Sequence, residues 1–116
     1  MNPILHKIGT IFIPVSDIQK ARDWYCDLFD LSTKGEILFD HLYVIPLEGA
    51  NLVLDSKIYS KDNIIQTPLF HLNTHDIHQA YSYMTQHDIE VITPIEHEHW
   101  FNFKDLDGNV IMVCKC

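Results

Sequence analysis

Basic side chains are scarce in this chain. Eight Lys and Arg stand against sixteen Asp and Glu, a formal charge of −8 over 116 residues. Nucleic acid and anionic membranes both call for a basic face, so this balance argues against either partner and is compatible with a cationic ligand. No apolar run approaches the ~20 residues of a membrane-spanning helix. The opening MNPILHKIG has too short an apolar part for a secretory signal. Cysteine is sparse: Cys26, Cys114 and Cys116 make an odd set without zinc-like spacing. They are read as reduced thiols, and the protein as cytoplasmic. Cys114-Lys115-Cys116 falls at the chain end, where fraying disfavours a metal site. Also missing are G-x-S-x-G, a P-loop and a dinucleotide-binding glycine fingerprint, so nothing supports those enzyme classes.

What the chain does have is a repeat. Ile11–Val15 is apolar and β-branched, a strand signal. Ser16 with Gln19 then reads as a capping box, with Asp17 at the positive helix end. Ile18, Ala21, Tyr25, Leu28 and Phe29 follow at helical spacing. Short strands are expected at 37–39, 42–45 and 52–54, with Glu48-Gly49-Ala50-Asn51 as the turn before the last. The pattern restarts after a polar stretch. A strand is expected at 69–72, then a helix capped near Thr74 or His75 with Ile77, Ala80, Tyr81 and Met84 as its stripe. Strands at 91–92, 101–103 and 110–113 complete it, with a turn at Asp107-Gly108-Asn109. Asp17-Ile18-x-x-Ala21 matches Asp76-Ile77-x-x-Ala80, and Asn51-Leu-Val-Leu matches Asn109-Val-Ile-Met. The fold class is therefore α+β, one domain over 1–116 built from two βαβββ repeats at about 5–56 and about 68–116, joined by a linker at about 57–67.

Two stretches resemble a known superfamily, the vicinal oxygen chelate proteins: glyoxalase I, bleomycin- and fosfomycin-resistance proteins and extradiol dioxygenases. One is Ile13-Pro14-Val15-Ser16-Asp17 running into Ala21-Arg22-Asp23-Trp24-Tyr25. The other is Phe103-Lys104-Asp105-Leu106-Asp107-Gly108-Asn109, similar to F-x-D-P-D-G-N with Leu106 in place of Pro. The resemblance implies a cupped mixed sheet and commonly a homodimer. It also implies four metal positions, one on each of the first, fourth, fifth and eighth strands, which align with Thr10, Leu54, Leu69 and Met112; Asp55 is the fallback for Leu54. A hydroxyl, two Leu side chains and a thioether do not make a zinc, manganese or nickel site. No metal and no cofactor is therefore expected. Such folds host many activities, so function has to be argued from the site.

Side chains alternate across a strand, which sorts them between a helix-packed face and a cup face. Ile11, Ile13 and Val15 go to the helix, leaving Thr10, Phe12 and Pro14 to the cup. The same parity sends Leu69, His71, Asn73, Trp100, Asn102, Val110 and Met112 to the cup, and the repeat adds His41 and Tyr43 on the third strand and Leu52 and Leu54 on the fourth. The segment Pro94-Ile-Glu-His97-Glu98-His99-Trp100 reads as a charged hairpin end, with His97 and His99 as a weaker metal possibility. Trp100 could stack on a planar ligand. His71 is the candidate acid–base. The functional expectation is a metal-free protein that sequesters a small hydrophobic, aromatic or cationic molecule. The alternative is a lyase or isomerase that uses His71 or a metal at a non-standard site.

Overall fold

The computed structural model describes residues 2–116. In chain order it contains β1 (Thr10–Pro14), α1 (Ile18–Leu28), β2 (Leu42–Ile45), β3 (Asn51–Asp55), β4 (His71–Asn73), α2 (Ile77–Gln86), β5 (Trp100–Lys104) and β6 (Val110–Cys114). One compact unit ends at Asn63 and the other begins at Ile64, inside the stretch expected to be a linker.

Each unit is a three-stranded sheet with one helix. The order is β1-β3-β2 in the first and β4-β6-β5 in the second. In both, the central strand runs parallel to the strand before the helix and antiparallel to the strand after it. The strands expected at 37–39 and 91–92 shrink to single bridging pairs, Leu38 with Leu42 and Val91 with Phe103. The reason lies in the backbone. Phe39 and Asp40 turn left-handed (φ 52° and 64°), so the chain reverses where a strand was expected to continue.

The helix starts sit slightly later than expected. Asp17 is the N-cap of α1, its Oδ1 accepting from Gln19 N and Lys20 N at 3.1 and 3.0 Å. Asp76 does the same for α2 with His78 N and Gln79 N. A carboxylate satisfies the orphan donors of the first turn and complements the helix dipole, so it outcompetes Ser16 and His75 for the position. Thr74 steadies the second cap by accepting from Asp76 N. Both helices then end on a left-handed Asp, Asp30 or Asp88. Leu31 N closes onto Cys26 O, and Ile89 N onto Met84 O, the six-to-one bond of a glycine-type C-cap made without glycine.

The F-x-D-x-D-G-N stretch is a hydrogen-bonded knot. Buried Asp105 accepts from Asp107 N, Asn109 N and Asn109 Nδ2 at 2.8–2.9 Å. Asn109 Oδ1 in turn accepts from Ile65 N, tying the start of the second unit to its last turn. Gly108 takes φ +93°, which a side chain would resist.

In the first unit Ile13, Leu54, Leu52, Ile45 and Tyr43 are buried on the helix side. Tyr43 reaches α1 through its hydroxyl, 3.9 Å from Cys26 Sγ, and accepts from Gly35 N at 3.2 Å. Burial, and after it the hydrogen bond with the Cys26 thiol, push the Tyr43 phenol above its ordinary value of 10.0. A Cβ on Gly35 would stand 2.6 Å from that hydroxyl. Gly35→Ala is therefore expected to displace the ring and lower stability by about 1–3 kcal/mol in a urea melt; an unchanged midpoint would show that this loop yields freely. Tyr43→Phe leaves the Gly35 N–H unpaired, a loss of about 1 kcal/mol at neutral pH. The raised phenol contributes stability that is complete below pH 10.0 and is lost as pH climbs through the higher folded value. The gap between wild type and Tyr43→Phe should therefore narrow in melts run above that pH.

Candidate functional site

In the second unit the pairing register lays out the face turned away from α2. His71 pairs with Met112, which on its other side pairs with Asn102. The next row is Asn73, Cys114 and Trp100. Five of the residues expected in a binding site thus fall into two adjacent rows of one sheet face. Phe101 and Phe103 take the opposite face, where Phe101 meets Tyr81 of α2 edge-on with ring centroids 5.2 Å apart. Beyond these rows Lys104 and Val110 border a depression of about 510 Å³, also lined by Ile64, Gln66 and Ile92. That volume is in the range of small-molecule sites.

One polar atom on this face has no partner. Asn102 Oδ1 is buried and accepts no hydrogen bond, although Asn102 N is satisfied by Thr93 Oγ1 at 2.9 Å. A buried carbonyl oxygen left unpaired costs about 1–3 kcal/mol, so a ligand toward which the half-buried Asn102 side chain turns recovers that loss.

The segment before Trp100 is a tight reversal: Glu96 bridges Trp100, and His97 and Glu98 turn left-handed (φ 53° and 59°). It repeats the Leu38–Leu42 reversal of the first unit. Its side chains brace the indole. Glu96 Oε2 accepts from Trp100 Nε1 at 3.0 Å, and the His97 ring lies 5.1 Å from the Trp100 ring. His78 on α2 holds Glu98 at 2.8 Å. His97 and His99 thus serve as a turn and a ring contact. His99 Nδ1 is engaged with the carbonyl of His97.

The first unit departs from the expected parity. Tyr43 pairs with Leu54, and Leu54 with Ile13, so all three share the buried helix side. Tyr43 and Leu54 do not line the other face. Parity counting slipped by one here because the repeat was carried over without the strand register. The face away from α1 bears Thr10 and Phe12 of β1, the latter 54% exposed, with Leu42, Val44, Val53 and Asp55. Asp55 Oδ1 lies 2.7 Å from His41 Nδ1 and accepts from Lys57 N, a pair the sequence reading had not joined. Leu69 stands two residues ahead of β4 and is 72% exposed, outside the ladder.

The sequence matches the family model for the glyoxalase/bleomycin resistance protein/dioxygenase superfamily over residues 7–113. The chain belongs to that superfamily. No curated protein matches it. Among solved structures it is similar to TnmS3, an antibiotic binding protein from Streptomyces sp. CB03234, with TM-score 0.74 and 21% identity over 99% of this chain and 98% of that one. It is similar also to a lactoylglutathione lyase from Agrobacterium tumefaciens, with TM-score 0.72 and 17% identity over 98% and 96%. A glyoxalase/bleomycin resistance protein from the same Streptomyces gives TM-score 0.67 and 21% identity over 94% and 100%. A binder and an enzyme resemble the chain about equally, so the fold does not choose between them.

The metal positions implied by the family do not fit this chain. With Leu54 turned to the helix, β3 offers Asp55 in its place, and that carboxylate is already held by His41 and Lys57 N. With Leu69 outside the ladder, His71 is the residue beside Met112. Thr10 and Met112 remain a neutral hydroxyl and a thioether, neither a ligand of choice for zinc, manganese or nickel.

The left-handed turn is testable. His97→Asn combined with Glu98→Gly supplies residues that accept this backbone, and should raise stability by about 1 kcal/mol in thermal melts. A fall of that size would mean that the His97 and Glu98 contacts outweigh the backbone strain.

Proposed function

We propose that this protein binds a small molecule, without a metal, on the face of the second sheet that carries His71, Asn73, Trp100, Asn102 and Met112. The unpaired Asn102 Oδ1 is the observation that carries the reading. A binding face is expected to hold a buried acceptor in reserve, whereas a merely structural one would satisfy it. Trp100, fixed by Glu96, offers a ring for a planar ligand to stack on, and Met112 adds an adaptable apolar surface. His71 and Asn73 supply further polar contacts at the row ends. The ligand class that fits is a small aromatic or cationic molecule with an N–H or O–H donor aimed at Asn102. The acidic net charge favours the cationic members. The similarity to an antibiotic binding protein is consistent with a binding role. The protein would act as a cytoplasmic homodimer.

A thermal-shift screen of planar and cationic compounds, antibiotics included, tests this, because a binder raises the melting temperature by mass action. Trp100→Ala and His71→Ala should each abolish the shift from a hit while circular dichroism stays unchanged. Asn102→Leu should abolish it too, yet leave the free protein as stable or more stable, since an unpaired acceptor has been removed. Full binding by Asn102→Leu would remove the basis of this assignment.

A further inference from the structure

The last strand is hydrogen-bonded as far as Lys115. Thr74 N donates to Cys114 O at 3.0 Å and Lys115 N to His99 O at 2.7 Å, so the strand end is stitched to a neighbour on each side. Cys114 is buried at 1% exposure and Cys116 is exposed. The three cysteines expected as free thiols divide accordingly: Cys114 and Cys116 are joined as a disulfide, and Cys26 stays a buried free thiol. His71 pairs with Met112, two residues before Cys114 on the same face. An imidazole nitrogen of His71 and the two sulfurs all lie within 4.8 Å of one another.

From this juxtaposition we propose that the reduced chain binds a thiophilic closed-shell metal ion, Zn²⁺ or Cu⁺, through His71, Cys114 and Cys116. A tetrahedral zinc ion with bonds of about 2.0–2.3 Å holds its ligand atoms roughly 3.5–3.8 Å apart, a spacing these donors reach by side-chain rotation. Two soft thiolates suit both ions, and an imidazole is a good third ligand for zinc or copper. The exposed His71 and Cys116 leave a coordination position open to solvent. This site goes beyond the proposed ligand face, with which it shares His71 and which it meets at Cys114, between Asn73 and Trp100.

The disulfide and the ion exclude each other, because a disulfide sulfur is no longer a thiolate donor. A dithiol reductant transfers two electrons and two protons to the S–S bond and becomes a disulfide itself. The incoming ion then displaces the two thiol protons to solvent. Metal occupancy at this strand end therefore follows the redox state of its surroundings.

The full chain, reduced with a phosphine and desalted without oxygen, is to be titrated with Zn²⁺ against a chromophoric chelator. A parallel arm uses Cu⁺ against a Cu⁺-selective chelator. One ion per chain is expected in at least one arm, and the responding arm identifies the ion. The oxidised chain should bind none, and Cys116→Ser should lose the site while its circular dichroism is unchanged. His71→Ala should weaken binding more than about a hundredfold, beyond what loss of a merely supporting partner costs. Trp100→Ala should keep the ion while losing the organic ligand, which separates failure of this site from failure of the ligand face. Absence of binding in both arms, retention of the ion by Cys116→Ser, or a smaller loss in His71→Ala would each overturn the assignment.

Discussion

The pairing register of β6 is the constraint on which the second unit depends. Phe101, Phe103, Ile111 and Val113 must all reach the buried side together, and each is almost wholly removed from water. Side chains alternate with period two, so a slip of β6 by one residue would turn Ile111 and Val113 outward and leave Phe101 and Phe103 without them. Fixing those four inward fixes Trp100, Asn102 and Met112 outward, and the parallel pairing with β4 brings His71 and Asn73 alongside. The candidate ligand face and the candidate metal site are both consequences of where the core had to go.

The same logic corrects the first unit. Tyr43 and Leu54 are drawn to the helix side because Leu54 stands level with Ile13, and Ile13 is core. Once there, Tyr43 becomes a structural post. It satisfies Gly35 N, contacts the Cys26 thiol and presses close enough to Gly35 that no other residue fits without adjustment. Strand parity assigns it to the cup, whereas the register with Leu54 and Ile13 buries it against the helix.

The repeat goes deeper than the residues that announce it. Asp30 and Asp88 close the helices, and Phe39-Asp40 and His97-Glu98 reverse the chain, all with left-handed backbone and without glycine. Such positions are costly for most L-residues, most of all for Phe39 and Glu98, and less so for Asp and His. The charged EHEH segment owes its place to this geometry. In the second unit the reversal delivers Trp100 to the start of β5, with its indole held by Glu96 and flanked by His97. The sequence reads this cluster as a charged hairpin end, and in the structure Glu96 and His97 contact the Trp100 ring.

By itself the sequence determined the architecture: two strand–helix–strand units, the core stripes of both helices, the turns at Gly49 and Gly108, and the superfamily. These follow from local periodicity and turn chemistry, which act over a few residues. It also placed His71, Asn73, Trp100, Asn102 and Met112 on one face, because all five lie in or beside strands whose alternation is unbroken. Only the tertiary structure decided that Asp55 meets His41, that Asn102 Oδ1 lacks a partner, and that Cys114 and Cys116 sit beside His71 at a stitched strand end. Each of these depends on which residue stands opposite which across a ladder. Register is set by packing between segments far apart in the chain, and no local pattern encodes it.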